Sequence, residues 1–129
     1  MTASRRVLRR SRARNYRQRG RAIEAIACAL LQERGYAVVR SRRYTVGVHL
    51  VAWCDWSPPL FIQVRRSRKL VDTTTEIVAL WPREVAALQA IPRWDGMSVQ
   101  FWIYAGRISG WHTFEIFPRG VTEVECLVV

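Results

Sequence analysis

The sequence predicts an α/β domain in which helices flank a central mixed β-sheet, with elements in the order αβββαββ. Three observations predict this class. A stretch with helical apolar periodicity comes first, three strand-like runs follow it, and a short helical segment with two further strand-like runs comes after them. Half of the 129 residues are hydrophobic, so one domain of this length can bury a core.

The first helix is predicted from about Tyr16 to Arg34. Apolar residues at positions 23, 27, 30 and 31 share one helical face, and Gly35 follows at the position where glycine commonly ends a helix. The apolar run from Tyr36 to Arg40 is then predicted to form the first strand, with a basic turn after it.

Two strands are predicted from Val46 to Trp53 and from Leu60 to Arg66, and the short connection between them makes them antiparallel neighbours. Side chains alternate between the two faces of a strand, so we expect His49, Gln63 and Arg65 to share one face. The connection ends in two prolines, which are expected to stop the ladder there because proline has no N–H to donate.

The second half of the chain is predicted to contain one helix and two or three strands. A proline at its first turn and Glu84 near its positive end favour the helix. The predicted ranges are a polar segment at 67–75, the helix at 82–90, a turn at 92–96, strands at 99–105 and 111–117, and an ending at 121–129 that adds a last strand.

The charge is strongly basic and unevenly distributed. The net charge is +11, and residues 1–23 contain nine arginines and no acidic residue. Residues 1–16 are therefore predicted to form a basic, disordered arm, and residues 17–129 a single domain. Such an arm favours a polyanion, nucleic acid first and an anionic membrane second. A solvated tail that serves only solubility is the alternative.

The cysteine pattern predicts a reducing, cytoplasmic location. Cys28, Cys54 and Cys126 are odd in number, far apart and outside any zinc-finger spacing with the two histidines. No apolar run approaches the roughly 20 residues of a membrane span. A twin-arginine export signal near Arg5 is disfavoured, because the apolar stretch that follows it begins directly after Glu24 and is amphipathic.

Four segments in this order resemble the archaeal Holliday junction resolvase branch of the PD-(D/E)XK nuclease superfamily. They are Gly20-Arg21-Ala22-Ile23-Glu24, the run Glu33 to Ser41, Val48-His49-Leu50-Val51-Ala52-Trp53, and Ile62-Gln63-Val64-Arg65-Arg66-Ser67. The resemblance covers roughly residues 19 to 124. It implies a restriction-endonuclease-like core and a protein that acts on branched DNA.

The resemblance also implies four catalytic positions, at which the family places a helix Glu, a strand Asp and an acid-x-Lys pair around Mg²⁺. Glu24 matches the helix acid, whereas His49, Gln63 and Arg65 stand at the other three positions. Histidine prefers softer metals than Mg²⁺, and arginine stays protonated and cannot act as a base. We therefore expect no metal cofactor and little or no Mg²⁺-dependent cleavage.

Three alternatives keep a metal site open. Mg²⁺ or Mn²⁺ is bound if an altered active site survives, and Glu24 with His49 would suit Mn²⁺ or Zn²⁺. Asp55 or Asp72, which follow the second and third strands, would otherwise supply a missing carboxylate.

The favoured function is a nucleic-acid-binding protein that holds branched or duplex DNA with weak or no cleavage. The alternatives are a structure-selective endonuclease with an altered metal site and, less favoured, an RNA-binding protein. Resolvases of this family are symmetric dimers, which implies a homodimer. Trp56 and Trp94 are candidates for a partner surface or for stacking on an unpaired base. The candidate phosphate contacts are Arg17, Arg19, Arg21, Arg40, Arg42, Arg43, Arg66, Arg68 and Lys69.

Overall fold

The architecture is a six-stranded mixed sheet with helices on both faces. A computed structural model describes residues 20–41 and 47–126. Helix α1 spans 20–33. The other elements are β1 (Ala37–Arg40), β2 (Leu50–Cys54), β3 (Ser57–Arg66), α2 (Thr74–Leu80), α3 (Pro82–Gln89), β4 (Ser98–Tyr104), β5 (Trp111–Phe117) and β6 (Gly120–Val124). None of the described helices is long and apolar enough to cross a bilayer.

The strands lie in chain order from β1 to β6. Only β3 and β4 are parallel, and the antiparallel pairs β1–β2, β2–β3, β4–β5 and β5–β6 flank them. A parallel pair needs a crossover connection, which α2 and α3 provide. The predicted α/β class with a mixed sheet is therefore confirmed.

Two apolar cores cover the two faces of this sheet. The first core lies between α1 and the sheet. Helix α1 contributes Ile23, Ala27 and Leu31 to it, and the strands contribute Leu50, Ala52, Leu60, Ile62, Val64 and Trp102. The second core lies on the other face, where α2 and α3 contribute Ile77, Val85 and Leu88 to a cluster with Val99, Phe101, Ile103, Phe114 and Ile116. Strands β3 and β4 contribute side chains to both cores, because successive side chains of a strand point to opposite faces of the sheet.

Helix α2 lies where the sequence predicted the end of a polar segment, so the observed order is αβββααβββ. Thr73 caps this helix, since its Oγ1 accepts a hydrogen bond from Glu76 N–H at 3.2 Å. This Thr-x-x-Glu spacing is a capping-box signal that the sequence contains. The predicted polar segment is therefore wrong from residue 74 onward.

The prediction that the third strand begins after Pro58 and Pro59 is wrong, although neither proline has a Cα partner in β2 or β4. Both lie inside β3, which begins at Ser57. Two features of the pairing accommodate them. The register between β2 and β3 shifts between Ala52 and Cys54, and pairing with β4 begins only at Leu60. The prolines thus occupy an irregular stretch of the strand with β4 not yet alongside, which is where proline is tolerated.

Strand β2 begins four residues later than predicted, at Leu50. Val48 packs in the second core whereas Leu50 packs in the first, so strict alternation is broken between these two positions. Because of this break, the side chain of His49 lies on the α1 side of the sheet and not on the face that Gln63 occupies. The predicted arm at 1–16 and the end of the predicted last strand, 127–129, lie outside the described residues.

Candidate nucleic-acid interface and buried polar cluster

A buried acid and a buried imidazole meet between α1 and the sheet. Glu24 and His49 are each only 5% exposed. Glu24 Oε1 lies 3.5 Å from His49 Nδ1, and Glu24 Oε2 lies 3.5 Å from Nη2 of Arg40. The same Arg40 nitrogen donates to the carbonyl of Arg21 at 3.2 Å. The carboxylate therefore joins α1 to the end of β1 and to the chain that enters β2.

His49 also fixes the end of the β2–β3 ladder. Its backbone N–H donates to the carbonyl of Ile62 at 2.8 Å, and the N–H of Val64 donates to its Nδ1 at 3.0 Å. The histidine thus bonds to both neighbours of Gln63. Because Nδ1 accepts a hydrogen bond, the neutral ring carries its proton on Nε2.

The surroundings of His49 favour the neutral ring. Burial lowers the pKa of His49 below its ordinary value of 6.5; the Glu24 carboxylate opposes this shift, and the Arg65 guanidinium adds to it. A proton on Nδ1 would also take away the acceptor that Val64 N–H uses. Protonation of His49 at low pH would therefore break the hydrogen bond from Val64 N–H and form an ion pair with Glu24 in its place.

We expect the free energy of unfolding to decrease as the pH falls below 6.5. The unfolded chain protonates His49 at about that pH, whereas the folded chain does so only at a lower pH. The stabilisation is thus complete above 6.5 and is lost as the pH falls toward the folded pKa. Chemical denaturation between pH 8 and pH 5.5 measures this loss.

The matched variant is His49→Asn, because an amide oxygen can still accept the Val64 hydrogen bond but does not titrate. This variant is expected to show a flatter pH dependence than the wild type over the same range. The same slope in both proteins would contradict the role assigned to His49.

Gln63 and Arg65 lie on the opposite side of β3 from α1. Gln63 is fully buried near Leu88 and beside Gly47, where a Cβ atom would lie 3.3 Å from Gln63 Oε1. Gly47 has a φ of 80°, a conformation that side chains strain, so glycine permits this close approach. Arg65 extends toward α3, with its Nη2 3.8 Å from Glu84 Oε1. The prediction that His49 shares their face is wrong.

Two buried polar atoms in this region lack hydrogen-bond partners. Within residues 20–41 and 47–126, neither Gln63 Oε1 nor Arg65 Nε makes a hydrogen bond. Buried polar groups are usually paired, so an acceptor and a donor left open on one strand indicate a polar site rather than packed core. Both atoms belong to positions that the resemblance assigns to the active site.

Cations gather at one end of the sheet. Strand directions bring the carboxyl ends of β1, β3, β4 and β6 to the same end as the amino ends of β2 and β5. We call this end, with the start of α1, the basic end. Its described cations are Arg21, Arg40, Arg65, Arg66, Arg68, Lys69 and Arg107.

Most of these cations are available to a ligand. Arg21, Arg40, Arg66, Arg68, Lys69 and Arg107 are exposed. Arg68 and Lys69 follow β3 in a turn that Ser67 holds, since Ser67 Oγ donates to the carbonyl of Lys69 at 2.7 Å. From β1 to the turn after β4 the cations span at least three strand spacings, roughly 15 Å. Duplex DNA carries about one charge per 1.7 Å of its axis, so several phosphates fit along this length.

The remaining predicted contacts and aromatics fall elsewhere. Arg17, Arg19, Arg42 and Arg43 lie outside the described residues. Trp56 and Trp94 lie at the opposite end of the sheet, in the β2–β3 turn and before β4. Trp56 packs edge to face against Tyr36, and Trp94 packs in the same way against Phe61. Trp56 and Trp94 therefore lie most of the length of β3 away from the basic end.

The fold has a counterpart among solved structures. The structure of Hjc from Archaeoglobus fulgidus, a Holliday junction resolvase from an archaeal hyperthermophile, superposes with a TM-score of 0.57. The alignment covers 85% of this chain and 86% of that one, at 18% sequence identity. The chain has the mixed α/β fold of that structure. No protein-family model matches it, and no curated protein does so either.

The four positions that the resemblance implies lie on two sides of the chain that enters β2. Glu24 and His49 lie toward α1, whereas Gln63 and Arg65 lie toward α3, and their donors do not fit Mg²⁺. This ion requires near-octahedral oxygen ligands and is usually held by carboxylates and water. Glu24 alone supplies a carboxylate, and Arg40 and His49 already contact it. The Nδ1 atom of His49 is engaged by Val64, and the cation of Arg65 lies nearby. In the described part of the chain, no three His, Cys, Asp or Glu side chains are grouped to hold a metal.

Neither alternative acid completes this site. Asp55 follows the far end of β2, about 20 Å from His49 along the strand, so the prediction that it reaches in is wrong. Asp72 is exposed in the segment before α2, next to the buried Val71. The resolvase-like fold therefore brings Glu24 and His49 together and leaves both aspartates outside their cluster.

Proposed function

We propose that the protein binds DNA, branched or duplex, through the basic end and does not cleave it with Mg²⁺. One observation carries this proposal: exposed cations line the end of the sheet where a polar cluster contains a single carboxylate. The likeness to the Archaeoglobus fulgidus resolvase supports DNA as the ligand, since that protein resolves Holliday junctions.

The residue type of the cations at the basic end supports phosphate as the group that they contact. Six of the seven cations of the basic end are arginines, whose planar guanidinium binds phosphate oxygens in pairs. The cations belong to three separate parts of the chain, namely the start of α1 with the end of β1, the end of β3, and the β4–β5 turn. A spread of this kind matches the shape of a DNA backbone better than the edge of one base, so recognition is proposed to depend on DNA shape.

The chemistry of the cluster supports binding without cleavage. A histidine, an amide and a guanidinium occupy the positions where the resemblance implies two acids and a lysine. Arg65 is instead suited to contact a phosphate, because its side chain is 41% exposed and its guanidinium stays charged. Loss of one positioned catalytic group commonly costs on the order of 10²–10³ in rate, so three replacements remove measurable turnover.

Salt dependence of binding tests this function. We expect a labelled four-way DNA junction to bind with an affinity that falls steeply with salt, with a log–log slope of about −0.9 for each phosphate contacted. Fluorescence anisotropy between 50 and 300 mM KCl measures the slope, with duplex DNA and double-stranded RNA as competitors. A flat slope, or RNA that competes better than DNA, would contradict the proposal.

A structure-selective endonuclease with an altered metal site is a second candidate function. The observation that favours it is the acceptor Gln63 Oε1, which is buried and without a described partner, on the strand next to the Glu24–His49 pair. Junction, flap and single-stranded substrates incubated with Mn²⁺ or Zn²⁺ test it. Cleavage that Glu24→Ala abolishes and the exposed control Glu33→Ala retains would favour this candidate.

The predicted homodimer stays a prediction. Sedimentation equilibrium of the protein, free and with a four-way junction, measures it directly. A mass of two chains for the free protein, and of two chains plus one junction for the complex, is the expected result.

A further inference from the structure

Aromatic rings form a continuous row at the basic end. The guanidinium of Arg66 lies 6.0 Å from the centre of the Tyr104 ring. Tyr104 lies 5.1 Å from Trp111, centre to centre, and Trp111 lies 5.9 Å from Trp102. The row thus runs from an exposed cation through two half-buried rings to a ring in the first core.

The sheet register holds this row in place. Arg66 pairs with Tyr104 across β3 and β4, and Tyr104 pairs with Trp111 across β4 and β5. Directly opposed residues have neighbouring side chains on one face, which accounts for the contacts. The inner member is also fixed, because Trp102 Nε1 donates to Gln100 Oε1 at 2.8 Å. Rings held in this way lose little conformational freedom when a ligand stacks on them.

A cleft opens beside Trp111. Its volume is about 360 Å³, within the range of about 300–1,000 Å³ that is usual for small-ligand pockets. Thr113, Glu123 and Glu125 are among its lining residues. Thr113 lies on the same face of β5 as Trp111, whereas Glu123 pairs with Phe114 and so points to the other face of the sheet. The cation of Arg66 on β3 and the cleft between β5 and β6 therefore lie on the two sides of the aromatic pair in the strand order.

We propose that Tyr104 and Trp111 form a stacking seat for an unpaired DNA base whose backbone phosphate binds Arg66. The proposal rests on the DNA-binding function proposed above and specifies the DNA: a strand with unpaired nucleotides next to the duplex held by the basic end. Aromatic rings beside cations bind single strands in this way, since every base has a face to stack. The more exposed Trp56 and Trp94 lack this setting, because they lie at the opposite end of the sheet.

The experiment compares a blunt DNA duplex with the same duplex carrying a short single-stranded tail that contains 2-aminopurine. The wild type is expected to bind the tailed DNA more tightly and to quench the probe. Trp111→Leu is expected to reduce the ratio of tailed to blunt affinity by about 5- to 100-fold, the usual contribution of one stacked base. Tyr104→Leu is expected to act in the same direction, Trp111→Phe to restore part of the ratio, and the matched control Trp94→Leu to leave it unchanged.

The outcomes separate this inference from the function on which it rests. Equal binding of blunt and tailed DNA by the wild type, without quenching, overturns the stacking seat and leaves DNA binding intact. Binding of neither DNA overturns both. A tail of RNA that binds more tightly than the DNA tail overturns the assignment to DNA. Should Trp111→Leu fail to fold, the wild-type quenching and the Tyr104→Leu variant still decide the matter.

Discussion

Replacement of Arg66, Arg68 and Lys69 by alanine is expected to weaken binding of a four-way DNA junction by roughly 10²-fold or more near 0.1 M salt, because each lost phosphate contact removes one counterion-release term. The three side chains are exposed at and just beyond the end of β3, so their loss leaves both cores unchanged. The slope of the logarithm of the binding constant against the logarithm of the salt concentration is expected to become less negative by about 2 to 3. Fluorescence anisotropy across a KCl series measures both effects.

Arg119 supplies the matched control. It is exposed in the turn between β5 and β6, at the opposite end of the sheet from Arg66. A single Arg119→Ala substitution removes the same charge as Arg66→Ala, and only the latter is expected to reduce the affinity. Equal losses from the two substitutions would mean that net charge, rather than the basic end, determines binding.

The triple substitution His49→Asp, Gln63→Glu and Arg65→Lys is expected to create Mg²⁺-dependent strand cleavage in a protein that otherwise shows none. The variant carries three carboxylates and an amine at the four positions that the resemblance implies, a donor set that suits a hard cation and a water nucleophile. These positions approach residues 47–49 from the two faces of the sheet, since Gln63 Oε1 lies beside Gly47 and the Arg65 guanidinium acts on His49. A carboxylate at position 49 can still accept the Val64 hydrogen bond, so the end of the β2–β3 ladder is retained. The expected gain is about 10²-fold or more over the wild type.

The same triple variant with Glu24→Ala is the control, since it removes the fourth position. It is expected to bind the junction and leave the strands intact. A folded triple variant that binds the junction without cutting it would contradict the assignment of these four positions. Wild-type protein that cuts as fast as the variant would contradict the proposed lack of cleavage.

Part of this fold could be predicted because its signals are local. The apolar face of α1 and the alternation of β3 each follow from spacing alone, and the structure places Ile23, Ala27, Ile62 and Val64 in one core. The sequence does not predict helix α2 although Thr73 and Glu76 have capping-box spacing and bond to each other, because the three consecutive threonines at 73–75 have a low helix propensity. The position of Pro58 and Pro59 within β3 depends on which neighbours the strand has, and sequence spacing does not contain that information.

The candidate site divides in the same way. Gln63 and Arg65 are two residues apart on one strand, so a common face was predictable. The position of His49 was not, because it depends on a break of alternation between Val48 and Leu50 that only packing reveals. The ion pair of Glu24 with Arg40 joins elements 16 residues apart, a contact for which the sequence gives no local signal.

The most direct test measures binding and cleavage of one four-way junction in the same reaction with Mg²⁺, followed by native and denaturing gels. We expect a retarded complex that weakens with salt, with every strand intact at protein excess. Strand scission that requires Mg²⁺ and disappears in Glu24→Ala would contradict it, as would a junction that the protein does not retard at all.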